Sequence, residues 1–134
     1  DPDNWVFPAG TILWKEFVVN SMKIETRQLM KTGSGTGASA WTVAVYLWRA
    51  DQSDADLSVD GRAGDSGVRY AAQNVASQYS TVLTSNCASC HNGARDFSLG
   101  FNYLQLSHQI AGSEFTLDVL KSSNLLKNAP SRPD

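Results

Sequence analysis

No apolar run in this sequence approaches the roughly eighteen residues that a membrane-spanning helix needs, so no such span is expected. Charge of one sign is lacking too. Against 13 Asp and Glu stand 11 Lys and Arg, giving a net charge of -2 and a pI near 5.6. That balance argues against a polyanionic partner such as nucleic acid and against an anionic membrane surface. The chain opens on Asp1-Pro2-Asp3 with no basic region leading into an apolar stretch, so a secretory leader, if there was one, is expected to have been removed. Residues that carry chemistry are scarce: two cysteines, two histidines and two methionines among 134 positions. With 42% apolar and 18% charged residues, the composition is that of an ordinary globular protein. The length predicts one domain, 1–134, burying about two-thirds of its unfolded surface around one core.

Both cysteines and one histidine fall together in Cys87-Ala88-Ser89-Cys90-His91. Two thiols three positions apart lie on one side of a helical turn, where both can add to the vinyl groups of one porphyrin. The next residue then offers an imidazole to the iron. The stretch therefore reads as a haem c attachment site, with Cys87 and Cys90 as thioether carriers and His91 as proximal ligand. A thioredoxin-like Cys-x-x-Cys competes with this reading, but such a motif follows a strand in a βαβ unit, whereas the segment upstream here is polar and helix-like. A structural zinc site would need Cys87, Cys90, His91 and His108 on one ion, and adjacent Cys90 and His91 fit tetrahedral geometry poorly. The bland alternative is a surface disulfide, or two inert thiols beside a chance histidine.

Upstream, the pattern is that of strands. Thr11 to Asn20 is rich in Ile, Leu, Trp, Phe and Val. Asn20-Ser21 supplies turn chemistry, and Met22 to Lys31 alternates, with Met22, Ile24 and Met30 expected inward and Lys23, Glu25, Arg27 and Lys31 outward. Thr32 to Ala40, with three glycines, reads as a hairpin loop. Trp41 to Trp48, apolar on both faces, reads as a central strand. Asp51 to Asp65 reads as a solvated loop; Asp54-Ala55-Asp56 lacks the glycine and closing glutamate of a calcium loop.

Downstream the period lengthens. Val68, Ala72, Val75, Tyr79, Val82 and Leu83 recur at helical spacing and lead into the cysteine motif, which is itself expected on a helix. After the turn at Asn92-Gly93, residues Phe97, Leu99, Phe101, Tyr103, Leu104 and Leu106 could wall a porphyrin or simply fill a core. Ser113 or Thr116 can cap a last helix carrying Phe115, Val119, Leu120 and Leu125, with Lys121 and Lys127 towards its C-terminal end. The tail 128–134 reads as linker, as if the domain belonged to a larger modular chain. The expected fold is α+β: a small antiparallel sheet of about three strands packed against helices that carry a single covalent haem c.

Several marks together resemble a family: Phe7-Pro8-Ala9-Gly10-Thr11 with Lys15 and Phe17, Glu25-Thr26-Arg27, Asp51 to Ala55, Cys87 to Asn92, and Leu99-Gly100-Phe101 with Gln105-Leu106. They resemble the small c-type cytochrome domains found alone or at the end of large secreted bacterial redox and carbohydrate-binding proteins. More narrowly, the chain is similar to the cytochrome domain of cellulose-binding proteins proposed to donate electrons to copper-dependent lytic polysaccharide monooxygenases. The resemblance implies an electron shuttle with no catalysis of its own, periplasmic or secreted, serving a redox protein partner. Arg49 and Ser107 stand where relatives tend to carry asparagine, and the loop between Asp56 and the motif is longer, which leaves the partner open.

Two other functions compete with electron transfer. A peroxidase-like haem enzyme or a sensor would keep an open sixth iron position, with His108 as the available acid/base. A carbohydrate-binding module could use Trp5, Trp14, Trp41 and Trp48, three of which fall in expected strands, where core packing is the usual explanation. The sixth iron ligand is a choice among Met22, Met30 and His108, because no methionine follows His91. Eight residues at about 3.3 Å each separate the two methionines by roughly 26 Å, so at most one reaches the iron. Met30, beside the flexible glycine loop, is the expected ligand. His108 comes next, at a position the resemblance does not mark as ligating. Methionine ligation would raise the potential relative to two histidines.

Overall fold

The computed structural model describes residues 5–58, 87–107 and 116–128. Four strands, β1 (Ile12–Val19), β2 (Met22–Lys31), β3 (Trp41–Trp48) and β4 (Ala55–Leu57), form one antiparallel sheet in sequence order. Among the described residues three short α-helices follow: α1 (Cys87–His91), α2 (Tyr103–Leu106) and α3 (Leu117–Ser122). The fold is thus mixed α+β, with a fourth strand where about three were expected. The expected helix from Val68 to Leu83, the candidate ligand His108, Phe115 and the tail beyond Asn128 lie outside the described residues. No helix among the described residues is long and apolar enough to cross a membrane.

Local chemistry explains the meander. Asn20 and Ser21 both take positive φ, 50° and 64°, the backbone of a two-residue type I′ turn whose twist matches the strands it joins. Gly33 closes the longer β2–β3 connection by approaching Ala40, whose Cα would lie 3.4 Å from an added Cβ. Gln52 staples the β3–β4 turn to the first hairpin. Its side chain accepts from the Lys23 amide at 2.7 Å and donates to the Lys23 and Arg49 carbonyls, each at 3.1 Å.

The register shifts between Phe17 and Val18, which oppose Glu25 and Lys23, so Ile24 is the extra residue of a bulge in β2. Beyond the bulge the cross-strand pairs put Leu29 beside Leu13 and Val43, and Lys31 beside Trp41. These odd-numbered residues share one face, and it is the inner one: Val45, Leu47, Trp41, Glu25 and Lys31 on it are buried. Ile12, Trp14 and Val18, on the other face, are exposed.

The inward and outward sides expected for β2 are therefore reversed from Glu25 to Lys31. Alternation reports which side chains share a face; charge is a poor guide to which face is buried when each charge has a partner. Glu25 accepts from Arg27 Nε at 2.5 Å, and Lys31 donates to Asp96.

Apolar packing completes the attachment of α1 to the sheet. Ala40, Trp41 and Phe97 form a buried cluster, joined by Phe7, Leu13, Leu29, Val43 and Ala88. Phe7 meets Trp41 and Phe101 edge to face, at 5.8 and 5.5 Å between ring centroids. Two capping side chains start the remaining helices. Asn102 accepts from the Gln105 amide at 2.8 Å, and Thr116 from the Val119 amide at 3.3 Å, so Thr116 rather than Ser113 caps α3.

Candidate functional site

The five residues of the cysteine motif form α1, as expected. The helix gives way immediately to turns, with the Asn92 amide on the Ala88 carbonyl and the Ala94 amide on the His91 carbonyl, both at 3.1 Å. This brings Asp96 and Phe97 back beneath the helix. The Asp96 carboxylate is buried under the sheet's inner face. It accepts from Lys31 Nζ at 2.5 Å, the Phe7 amide at 2.7 Å and Trp41 Nε1 at 3.2 Å. Burial alone would raise its pKa; the bonds from Lys31, Phe7 and Trp41 outweigh burial and hold it below the ordinary aspartate range.

Phe97 follows with φ at 59°, a left-handed conformation unusual for a non-glycine residue, and its ring is buried. In that conformation its carbonyl oxygen lies 2.7 Å from Nδ1 of His91. A carbonyl can only accept, so Nδ1 carries the proton, and in the neutral form of the ring the lone pair lies on Nε2. A histidine that binds a metal is held in just this way, one ring nitrogen donating to a backbone oxygen while the other coordinates. The His91 and Phe97 rings lie 5.1 Å apart.

The two thiols differ. Cys87 is buried, Cys90 is exposed, and no disulfide joins them. Burial pushes the Cys87 thiol up, more than the Arg27 guanidinium lowers it, and the Glu25 carboxylate adds to the rise. The attacking thiol of a dithiol oxidoreductase is accessible with a lowered pKa, which Cys87 is not. Among the described residues no three or more His, Cys, Asp or Glu side chains gather as they would around a metal ion.

The residues present fit a covalent haem. Thiols one helical turn apart and a histidine whose Nδ1 donates to a carbonyl would hold it. Leu99 and Leu104, close after the motif, leave 49% and 68% of their surface exposed, apolar area of the kind a porphyrin covers. Ser98 Oγ and Tyr103 Oη are buried with no hydrogen-bond partner among the described residues, unusual for hydroxyls and suited to the polar edge of a bound group.

Met30 is not brought to this site. Its neighbours Leu29 and Lys31 point to the inner face, towards Phe97 and Asp96, so alternation puts Met30 on the outer face with Ile12 and Thr42. Met30 thus sits on the face of β2 opposite to the one that meets Asp96 and Phe97, and its expected role as a ligand is left to experiment. Met22 is placed differently. The bulge at Ile24 resets the alternation, pairing Met22 with Val19 and placing both against buried Ile24 on the inner face.

The sequence reading missed Asp96 and Lys31 as partners and the Phe97 carbonyl as the anchor of His91. No local pattern could reveal a contact that spans 65 residues. No protein-family model matches the chain, and neither a curated protein nor a solved structure matches it significantly.

Proposed function

We propose that the chain is an electron-transfer c-type cytochrome domain, holding one haem c through Cys87 and Cys90 with His91 as proximal iron ligand. The observation that carries this reading is the His91 Nδ1 bond to the Phe97 carbonyl, because it frees Nε2 on a helix that also presents both thiols. The haem, when bound, supplies a one-electron Fe(III)/Fe(II) couple. The chain's own part is to hold and tune: thioethers fix the porphyrin against α1, the Phe97 carbonyl raises the donor strength of His91, and the inner face of the sheet gives α1 a dry, rigid base. On its face of the sheet Met22 becomes the favoured methionine for the sixth position, with Met30 and His108 the other candidates. The partner is an extracytoplasmic redox protein; the resemblance points to a copper polysaccharide monooxygenase, and to a periplasmic or secreted domain of a larger modular chain.

Intact mass tests the attachment. Matured protein should exceed the polypeptide mass by one haem, and Cys87→Ala with Cys90→Ala should leave haem that acidified organic solvent extracts. Bare polypeptide mass in protein made alongside a working haem-attachment system would rule the reading out.

The sixth position has its own test. Met22→Ala should remove the methionine-to-ferric-iron absorption band and lower the potential, whereas Met30→Ala should leave both unchanged. If neither methionine variant alters the spectrum, the ligand is not methionine, and His108→Ala then separates two-histidine ligation from the open site of an enzyme or sensor.

A further inference from the structure

Asp96 lies five residues beyond His91, and its carboxylate accepts three hydrogen bonds. Its three donors come from three parts of the chain: Phe7 before the sheet, Lys31 at the end of β2 and Trp41 at the start of β3. Burying a carboxylate and an ammonium, 2% and 1% exposed, is costly unless the geometry satisfies both. What so well-bonded a carboxylate fixes is the next residue. Phe97 is held at positive φ, a strained conformation for a non-glycine residue that persists only where the surroundings over-determine it. Asp96 pins it on one side, and packing of its ring in the Trp41 cluster pins it on the other.

Resting on the cytochrome reading of His91, we propose that Asp96 is a positioning residue: clamped by Lys31, Trp41 and the Phe7 amide, it holds Phe97 in its left-handed conformation and thereby aims the Phe97 carbonyl at His91 Nδ1. The sheet thus sets the orientation and donor strength of the proximal imidazole from behind. If the clamp is loosened, Phe97 relaxes towards negative φ, its carbonyl turns away, Nδ1 loses its acceptor, and the imidazole becomes a weaker donor that favours Fe(II).

The test uses the haem-loaded protein. The double variant Lys31→Met with Asp96→Leu removes both charges together, which spares the fold an unpaired buried ion. Trp41→Phe removes one donor and keeps the ring. Two quantities are read by NMR and by redox titration: the exchange rate of the His91 Nδ1 proton with solvent and the midpoint potential. The double variant should speed exchange at least tenfold and shift the Fe(II)/Fe(III) ratio at fixed potential about tenfold towards Fe(II), a rise of roughly 59 mV for one electron. Trp41→Phe should move both in the same direction by less, and it serves as the deciding variant if the double variant does not fold. Unchanged exchange and potential with a lowered melting temperature would make Asp96 purely structural and overturn the proposal. The exchange readout does not need haem, so it judges the positioning role even if wild-type mass shows none attached, an outcome that overturns the cytochrome reading instead.

Discussion

Lys31→Met alone should destabilise the folded protein by about 3–5 kcal/mol, because it strands the Asp96 carboxylate in a buried site without its counter-ion. Adding Asp96→Leu should restore most of that loss, since two well-packed apolar side chains can replace a buried ion pair at little net cost. The same pair sets a pH dependence. Asp96 titrates below the ordinary aspartate value of about 3.9 because the bonds from Lys31, Phe7 and Trp41 overcome the effect of burial. The folded state therefore binds this proton less readily than the unfolded chain, and stability falls as pH drops through and below that value. Above it the contribution is complete and flat. Denaturant unfolding of wild type and double variant from neutral pH down to about 2 should show this fall in the wild type and a shallower one in the double variant. A Lys31→Met protein as stable as wild type would mean that the pair is open to water.

On the proposed cytochrome reading, His91→Ala should have the largest effect on the haem while leaving the thioethers in place: complete loss of the low-spin spectrum in both oxidation states, because the proximal nitrogen would be gone. The backbone should tolerate the change, since His91 is the last residue of α1 and only half-buried. Visible absorption of ferric and ferrous protein checks it, with added imidazole as a rescue ligand for the space left behind. A spectrum that His91→Ala does not alter would remove His91 from the coordination sphere and leave the Phe97 hydrogen bond as an ordinary helix-end contact.

Much of the sheet was legible because it is built from local signals. The β-prone run around Trp14, the alternation around Ile24, the apolar run around Val45 and the turn residues Asn20-Ser21 mark three strands without reference to the rest of the chain. β4 was missed because Ala55-Asp56-Leu57 is short and has no strand propensity to speak of; it pairs with Tyr46, Leu47 and Trp48 because Gln52 and the turn from Arg49 to Asp54 present it there. The bulge at Ile24 leaves no mark in composition, yet it decides which methionine shares a face with the motif. At the site, the motif residues and their helix were readable from spacing alone. The carbonyl that orients His91 was not, since backbone atoms of a strained phenylalanine carry no sequence signature, and the buried Lys31 looked like any solvated lysine on a strand.

The lengths of chain that separate contacting residues also give the fold a sense of time. The hairpins of the meander close over short stretches, while Phe7 reaches Asp96 across 89 residues, Lys31 across 65 and Trp41 across 55. Local pairings form early, and contacts that must first close long loops form late. The sheet can therefore assemble while the cysteine-bearing segment is still undocked, and the Phe7 amide should be among the last to gain protection from exchange. During that interval Cys87, which ends up buried, is as open to reaction as Cys90.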